Sequence, residues 1–109
     1  MTNRKQSKHD SLVKLVEKEL LTRGYTDVIL NEEYNNKGIC GEVDAYATTG
    51  KYVLSFECKC TKNQKTYNKA VNQLERSKKY LFNKNKRVFP FLVYYNKNEP
   101  VYELIKNLK

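Results

Sequence analysis

The chain has 109 residues, with 21 Lys+Arg against 12 Asp+Glu, a formal net charge of +9 and 39% hydrophobic residues. That is one domain's worth of chain with enough aromatic and aliphatic residues for a core, which sets aside multidomain and disordered readings. No apolar run approaches the roughly 18 residues of a membrane span. The segment MTNRKQSKHD lacks the apolar stretch of a secretory signal, and three Cys do not make a disulfide framework, so an intracellular, cytoplasmic domain is expected.

In chain order, residues 1–8 read as a basic arm carrying Arg4, Lys5 and Lys8. Ser7 or Asp10 can cap a helix over 9–23, where Leu12, Val13, Leu15, Val16 and Leu20 recur at helical spacing and Gly24 provides the stop. Residues 26–34 predict a short strand and 35–38 a turn. A hairpin follows over 41–47 and 52–60. Alternation places Val43, Ala45 and Ala47 on one face and Glu42, Asp44 and Tyr46 on the other. Leu54, Phe56 and Cys58 oppose Ser55, Glu57 and Lys59 in the same way. An even loop at Thr49–Gly50 matches apolar face to apolar face, with Asp44 opposite Ser55 and Glu42 opposite Glu57. The polar side then gathers Glu42, Asp44, Glu57 and Lys59.

Residues 66–83 predict a second helix with Tyr67, Ala70, Val71, Leu74 and Leu81 inward. Lys69, Gln73, Arg76 and Tyr80 form a flanking stripe. Residues 87–95 predict a strand in which Pro90 implies an edge or a bulge. Residues 100–109 predict a short closing helix. The expected fold class is α/β, with a mixed sheet flanked by helices and a single domain over 9–109.

Asp44 and Glu57 are the residues from which chemistry is expected. Two carboxylates on neighbouring strands can converge on one hard divalent cation, and Mg²⁺ takes a few carboxylates plus water and phosphate oxygens. Lys59, two residues beyond Glu57 on the same face, can orient a water and stabilise charge on a phosphate. These are the parts of metal-assisted phosphodiester hydrolysis.

The stretch GEVDAYA…KYVLSFECKCTK resembles the core of the PD-(D/E)XK, or restriction-endonuclease-like, nucleases, and is closest in look to archaeal Holliday-junction resolvases and related small nucleases. Asp44 takes the place of the family's strand Asp, and Glu57-Cys58-Lys59 that of its E-x-K. The helix AVNQLERSKKYL is similar to the Gln-bearing helix of the RecB-like branch. The resemblance covers roughly residues 9–95. It implies an αβββαβ core and a Mg²⁺-dependent DNA endonuclease, with Mn²⁺ as substitute and branched DNA or a Holliday junction as the leading substrate. Asp44, Glu57 and the Cys58 backbone carbonyl would ligate metal, Lys59 would act on the attacking water, and Gln73 would support the site. The family's further acid on the first helix has no clear counterpart. His9, the single histidine, is the first choice there, with Asp10 and Glu17 as alternatives.

Lys62, Lys65, Lys69 and Arg76 are the expected phosphate-backbone contacts. A homodimer is expected because so small a core offers little surface for gripping a duplex. No membrane and no organic cofactor is implied, since nucleotide-binding and hydrolase motifs are missing. Tyr34, Tyr46 and Tyr67 are conceivable stacking platforms, and Cys58 and Cys60 read as core residues beside Phe56 rather than, with Cys40 and His9, a zinc site. The alternative is a nucleic-acid-binding module of the same fold that cuts weakly or not at all. A protein-interaction domain with an incidental basic surface is a third reading.

Overall fold

A computed structural model describes residues 7–82, 86–106 and 108. The basic arm thus falls outside the described residues except at Ser7, which caps the first helix, and Lys8, which begins it. In α1 (Lys8–Thr22) the Ser7 side chain is the N-cap and accepts the Asp10 amide at 3.0 Å. At the other end Gly24 takes φ +96°, which lets its N–H reach Leu21 O and that of Tyr25 reach Leu20 O. This paired closure is the glycine stop that residue 24 predicts.

The remaining elements are β1 (Val28–Asn36), β2 (Ile39–Thr48), β3 (Tyr52–Cys58), α2 (Gln64–Phe82), β4 (Arg87–Asn96) and β5 (Glu99–Leu104). They form an α/β fold around one five-stranded mixed sheet in the order β1-β2-β3-β4-β5. β3 and β4 are parallel, linked by the α2 crossover; every other neighbouring pair is antiparallel. α1 packs on one face against Ala45, Ala47, Phe56, Cys58 and Val93. On the other face, Leu81 of α2 packs with Val43, Tyr46, Val53 and Val88, while Ala70 and Leu74 pack with Leu92 and Ile105.

Three sequence expectations change. The closing segment is a strand, not a helix. Lys97 and Asn98 both take positive φ (53° and 68°), the conformation of a tight hairpin turn, and so fold Glu99–Leu104 back onto β4. Pro90 is therefore in an interior strand and not at an edge. Its carbonyl accepts Ile105 N just past the end of β5, so its missing N–H lies where no ladder partner is required.

The β2–β3 turn is also displaced. The two-residue loop is Gly50–Lys51 rather than Thr49–Gly50, because the Thr49 hydroxyl accepts the amides of Lys51 and Tyr52 while Thr49 N donates to Tyr52 O. The loop stays even, so face still meets face, but the register moves by two residues: Tyr46 pairs with Ser55, and Ala45 with Phe56.

Finally, the alternation of β1 and β2 breaks at a common rung. Val28 and Leu30 pack with the α1 cluster, whereas Tyr34 belongs to the α2 cluster. In β2, Ala45 and Ala47 face α1 while Val43 joins Tyr46 on the α2 side, so Val43, Ala45 and Ala47 do not share a face. Asn31 lies opposite Asp44, takes φ +53°, and interrupts the otherwise continuous pairing between Leu30–Ala45 and Glu32–Val43. The facing of both strands thus reverses at the Asn31–Asp44 rung, with Asn31 in the left-handed region.

Candidate active site

Asp44 sits at this reversal, at the point where β2 parts from β3. The β2–β3 pairs end at Ala45–Phe56. By antiparallel alternation the next hydrogen-bonded pair would be Val43–Cys58. Instead Cys58 N donates to Asp44 Oδ2 at 2.8 Å. The carboxylate occupies the fork by replacing a ladder carbonyl, and it is only 4% exposed. His9, in the first turn of α1, places Nε2 3.2 Å from the same Oδ2.

Glu57, also 4% exposed, is the last residue but one of β3. Burial pushes its carboxyl up to about 9; the negative charge of Asp44 adds to this, and Lys59 opposes it. Asp44 also hydrogen-bonds the protonated form. Lys59 Nζ lies 3.6 Å from Glu57 Oε2. The amide of Lys59 donates to Val93 O, which carries the β3–β4 pairing one residue beyond the strand and fixes the backbone beneath the lysine. Asp44, Glu57, Lys59 and His9 are thus brought together, from β2, the β3 end and the α1 start.

Gln73 is half-buried on α2, and its Oε1 is buried with no hydrogen-bond partner among the described residues. Of the alternatives to His9, Asp10 lies 3.8 Å from His9 Nδ1, whereas Glu17 pairs with Lys14. Glu42 is exposed, and its carboxyl is raised first by burial and then by Asp44 and Glu33. It pairs in register with Glu33, so it is not opposite Glu57. Cys58 is fully buried in the α1-side core, with its thiol pushed up by burial, and Cys60 is half-buried.

The basic residues divide. Lys65, Lys69 and Arg76 are exposed along α2. Lys62 is engaged within the fold: its Nζ is 2.7 Å from Glu103 Oε1 and lies over the rings of Tyr67 and Tyr94. The tyrosines fare differently from expectation. Tyr46 is buried and donates to Glu32 at 2.8 Å, so it offers no face to a base. Tyr34 stacks on Tyr80, with ring centroids 4.8 Å apart.

No protein-family model matches this sequence, and no match is found among the curated proteins. The nuclease resemblance therefore rests on the motif residues and on where the fold carries them.

Among the described residues, no three His, Cys, Asp or Glu side chains group into a metal site on their own. The donor set nonetheless suits a hard cation that keeps most of its water. Two carboxylates are held together in a buried fork, and burial, with the charge of Asp44 beside it, pushes the Glu57 carboxyl up. Magnesium typically uses one or two carboxylates, with water and phosphate oxygens completing its shell. Sequence reasoning missed Asn31 as a contributor to this geometry. For Asn31 the signal was its residue type, since Asn tolerates the left-handed region better than most residues.

No helix among the described residues is long and apolar enough to cross a membrane.

Proposed function

We propose that this protein is a magnesium-dependent endonuclease of the PD-(D/E)XK kind, hydrolysing phosphodiester bonds of DNA. The observation that carries this reading is the meeting of Asp44, Glu57 and Lys59 at the β2–β3 fork, with both carboxylates buried and the ammonium 3.6 Å from one of them. The element order through β4, αβββαβ, supports it.

Asp44 and Glu57 would hold the ion, with the Cys58 carbonyl at the β3 end as a further ligand. Bound there, magnesium supplies positive charge to the scissile phosphate and acidifies water. The chain's own groups do the rest. The Cys58 amide and His9 fix Asp44 in place. Lys59 orients the attacking water and neutralises charge that builds on the phosphate. Lys65, Lys69 and Arg76 hold the backbone without reading sequence. Branched DNA or a Holliday junction is the proposed preferred substrate.

A homodimer would give each strand a site. A second copy would sit on the α1 side of the sheet, where Leu54, Phe56, Phe91 and Tyr102, beside Glu19 and Leu20 of α1, line a cavity of about 260 Å³.

The test is cleavage of junction, duplex and single-stranded DNA in Mg²⁺ and Mn²⁺. Lys59→Ala is expected to lower the rate about 100-fold or more while DNA binding persists. Salt-sensitive binding with no cleavage of any substrate would instead establish a non-cutting module of this fold.

A further inference from the structure

At the start of α1, one residue from His9, the surface dips into a recess of about 360 Å³. Six residues line it: Lys8 and Ser11 of α1, Cys60 and Thr61 beyond the end of β3, and Tyr95 and Asn98 of the β4–β5 hairpin. Its size falls within the range of ligand clefts, roughly 300–1,000 Å³. It lies at the opposite end of α1 from the cavity beside Glu19 and Leu20.

The lining has one chemical character. Lys8 brings an ammonium, Ser11, Thr61 and Tyr95 bring hydroxyls, Asn98 brings a carboxamide and Cys60 a thiol. Every one of these groups can donate, and no carboxylate is among them. The acids next to the lining in sequence, Asp10 and Glu99, are turned elsewhere. Asp10 lies 3.8 Å from His9 Nδ1. Glu99 pairs with Asn96, so it lies on the other face of the hairpin from Tyr95, which packs with the α1 cluster.

The backbone of the recess is fixed while its donors stay uncommitted. Ser11 N donates to Ser7 O at 2.9 Å, and Thr61 O accepts the Thr66 hydroxyl at 3.0 Å. Tyr95 is held in register with Pro100. Yet the side chains of Lys8, Ser11, Thr61, Tyr95 and Asn98 make no hydrogen bond or ion pair with the described residues. The amides of Asp10 and Ser11 are taken by Ser7, so side chains and not the helix end give the recess its character.

We infer that this recess binds a phosphate of the nucleic-acid backbone next to the scissile one, Lys8 pairing with its charge and the surrounding hydroxyls donating to its oxygens. One cation among several neutral donors suits a singly charged phosphodiester, and Lys, Ser, Thr, Tyr and Asn are the side chains that commonly contact such groups. Lys8, Thr61 and Asn98 are exposed, so the rim is open to a chain that continues on both sides. The position next to the scissile phosphate rests on the nuclease reading. Lys8 precedes His9 and Cys60 follows Lys59, each a single step of about 3.8 Å along the backbone. A phosphate held here would set the register of the strand over Asp44 and Glu57.

The test is an NMR titration of the isotopically labelled chain with inorganic phosphate, at constant ionic strength and without divalent cation. Saturable, concerted shifts are expected at the amides of Lys8, Ser11, Thr61 and Asn98. Lys8→Gln and Thr61→Val each remove one exposed donor and are expected to weaken phosphate binding about fivefold or more. Lys18→Gln removes the same charge from an exposed position of α1 outside the recess, and is expected to leave binding within about twofold. On duplex DNA, Lys8→Gln should lower the salt slope by about 0.9, one phosphate contact. Equal weakening by Lys8→Gln and Lys18→Gln, or shifts confined to other residues, would overturn the recess in favour of diffuse attraction. A salt slope unchanged by Lys8→Gln, with phosphate binding weakened, would overturn the backbone assignment and leave free phosphate as the ligand. Cleavage by the unmodified chain separates the two proposals. Phosphate binding at these residues in a chain that never cuts keeps the recess and removes the nuclease. Cleavage by a chain that shows no shifts at these residues keeps the nuclease and removes the recess.

Discussion

Glu57 shows most directly what burial does to a single residue here. Its folded-state carboxyl titrates near 9 against an ordinary 4.5. The folded chain therefore binds one more proton than the unfolded chain between those values. This contribution to stability is complete below about pH 4.5 and is lost as pH rises toward 9, with a slope of at most about 1.4 kcal/mol per pH unit. Urea unfolding of Glu57→Gln across that range is expected to show a flatter profile than the unmodified chain. Magnesium should also raise the melting temperature more at pH 8 than at pH 6, because the cation competes with this proton. Equal shifts at both pH values would mean that Glu57 is not a ligand. Asp44, Glu57 and Lys59 were legible in the sequence as a carboxylate on one strand facing a Glu-x-Lys on the next, although the fourth member expected on that side, Glu42, pairs with Glu33 instead. His9 was reached through the resemblance, as first choice for the family's further acid on the first helix, with Asp10 and Glu17 as alternatives. The engagement of Lys62 was not legible, because its partner Glu103 reaches it only if residues 99–104 form a strand.

At the scale of elements, parity proved more robust than register. The alternation of β2 and β3 required an even loop, and the loop is even. Its exact place was decided by one hydroxyl, that of Thr49, which the pattern of apolar residues does not encode. Thr49→Val removes that acceptor and is expected to lower stability by about 1 kcal/mol in chemical denaturation, with the turn amides losing exchange protection. The closing strand was missed for a related reason: a six-residue segment carries little periodicity, and its turn uses Lys97-Asn98 rather than a glycine pair. Asn98→Gly relieves a positive φ in that turn and is expected to raise the melting temperature by a few degrees, about 0.5–1 kcal/mol.

For the whole molecule, a charge of +9 sets how it meets a polyanion. Binding to DNA is expected to fall steeply with salt, each true phosphate contact adding about 0.9 to the slope of log affinity against log salt. Lys65→Ala and Lys69→Ala should each reduce that slope. Lys62→Ala should change it less, because its ammonium is already matched by Glu103. Filter-binding across a salt series resolves the difference; equal effects at all three positions would show that the Glu103 pair opens on binding.

The left-handed torsion at Asn31 gives the outer hairpin a single point of control. Positions 32 to 43 owe their inward or outward orientation to that one backbone angle, so mutations far along the ribbon should be tolerated according to what its base permits. A β-branched side chain at 31 would set the steric cost of that torsion against the packing of Tyr34 under α2, and so destabilise the ribbon. Asparagine, aspartate and glycine are the residues that hold such a torsion at least cost, so the fork is kept most readily with one of them at its base.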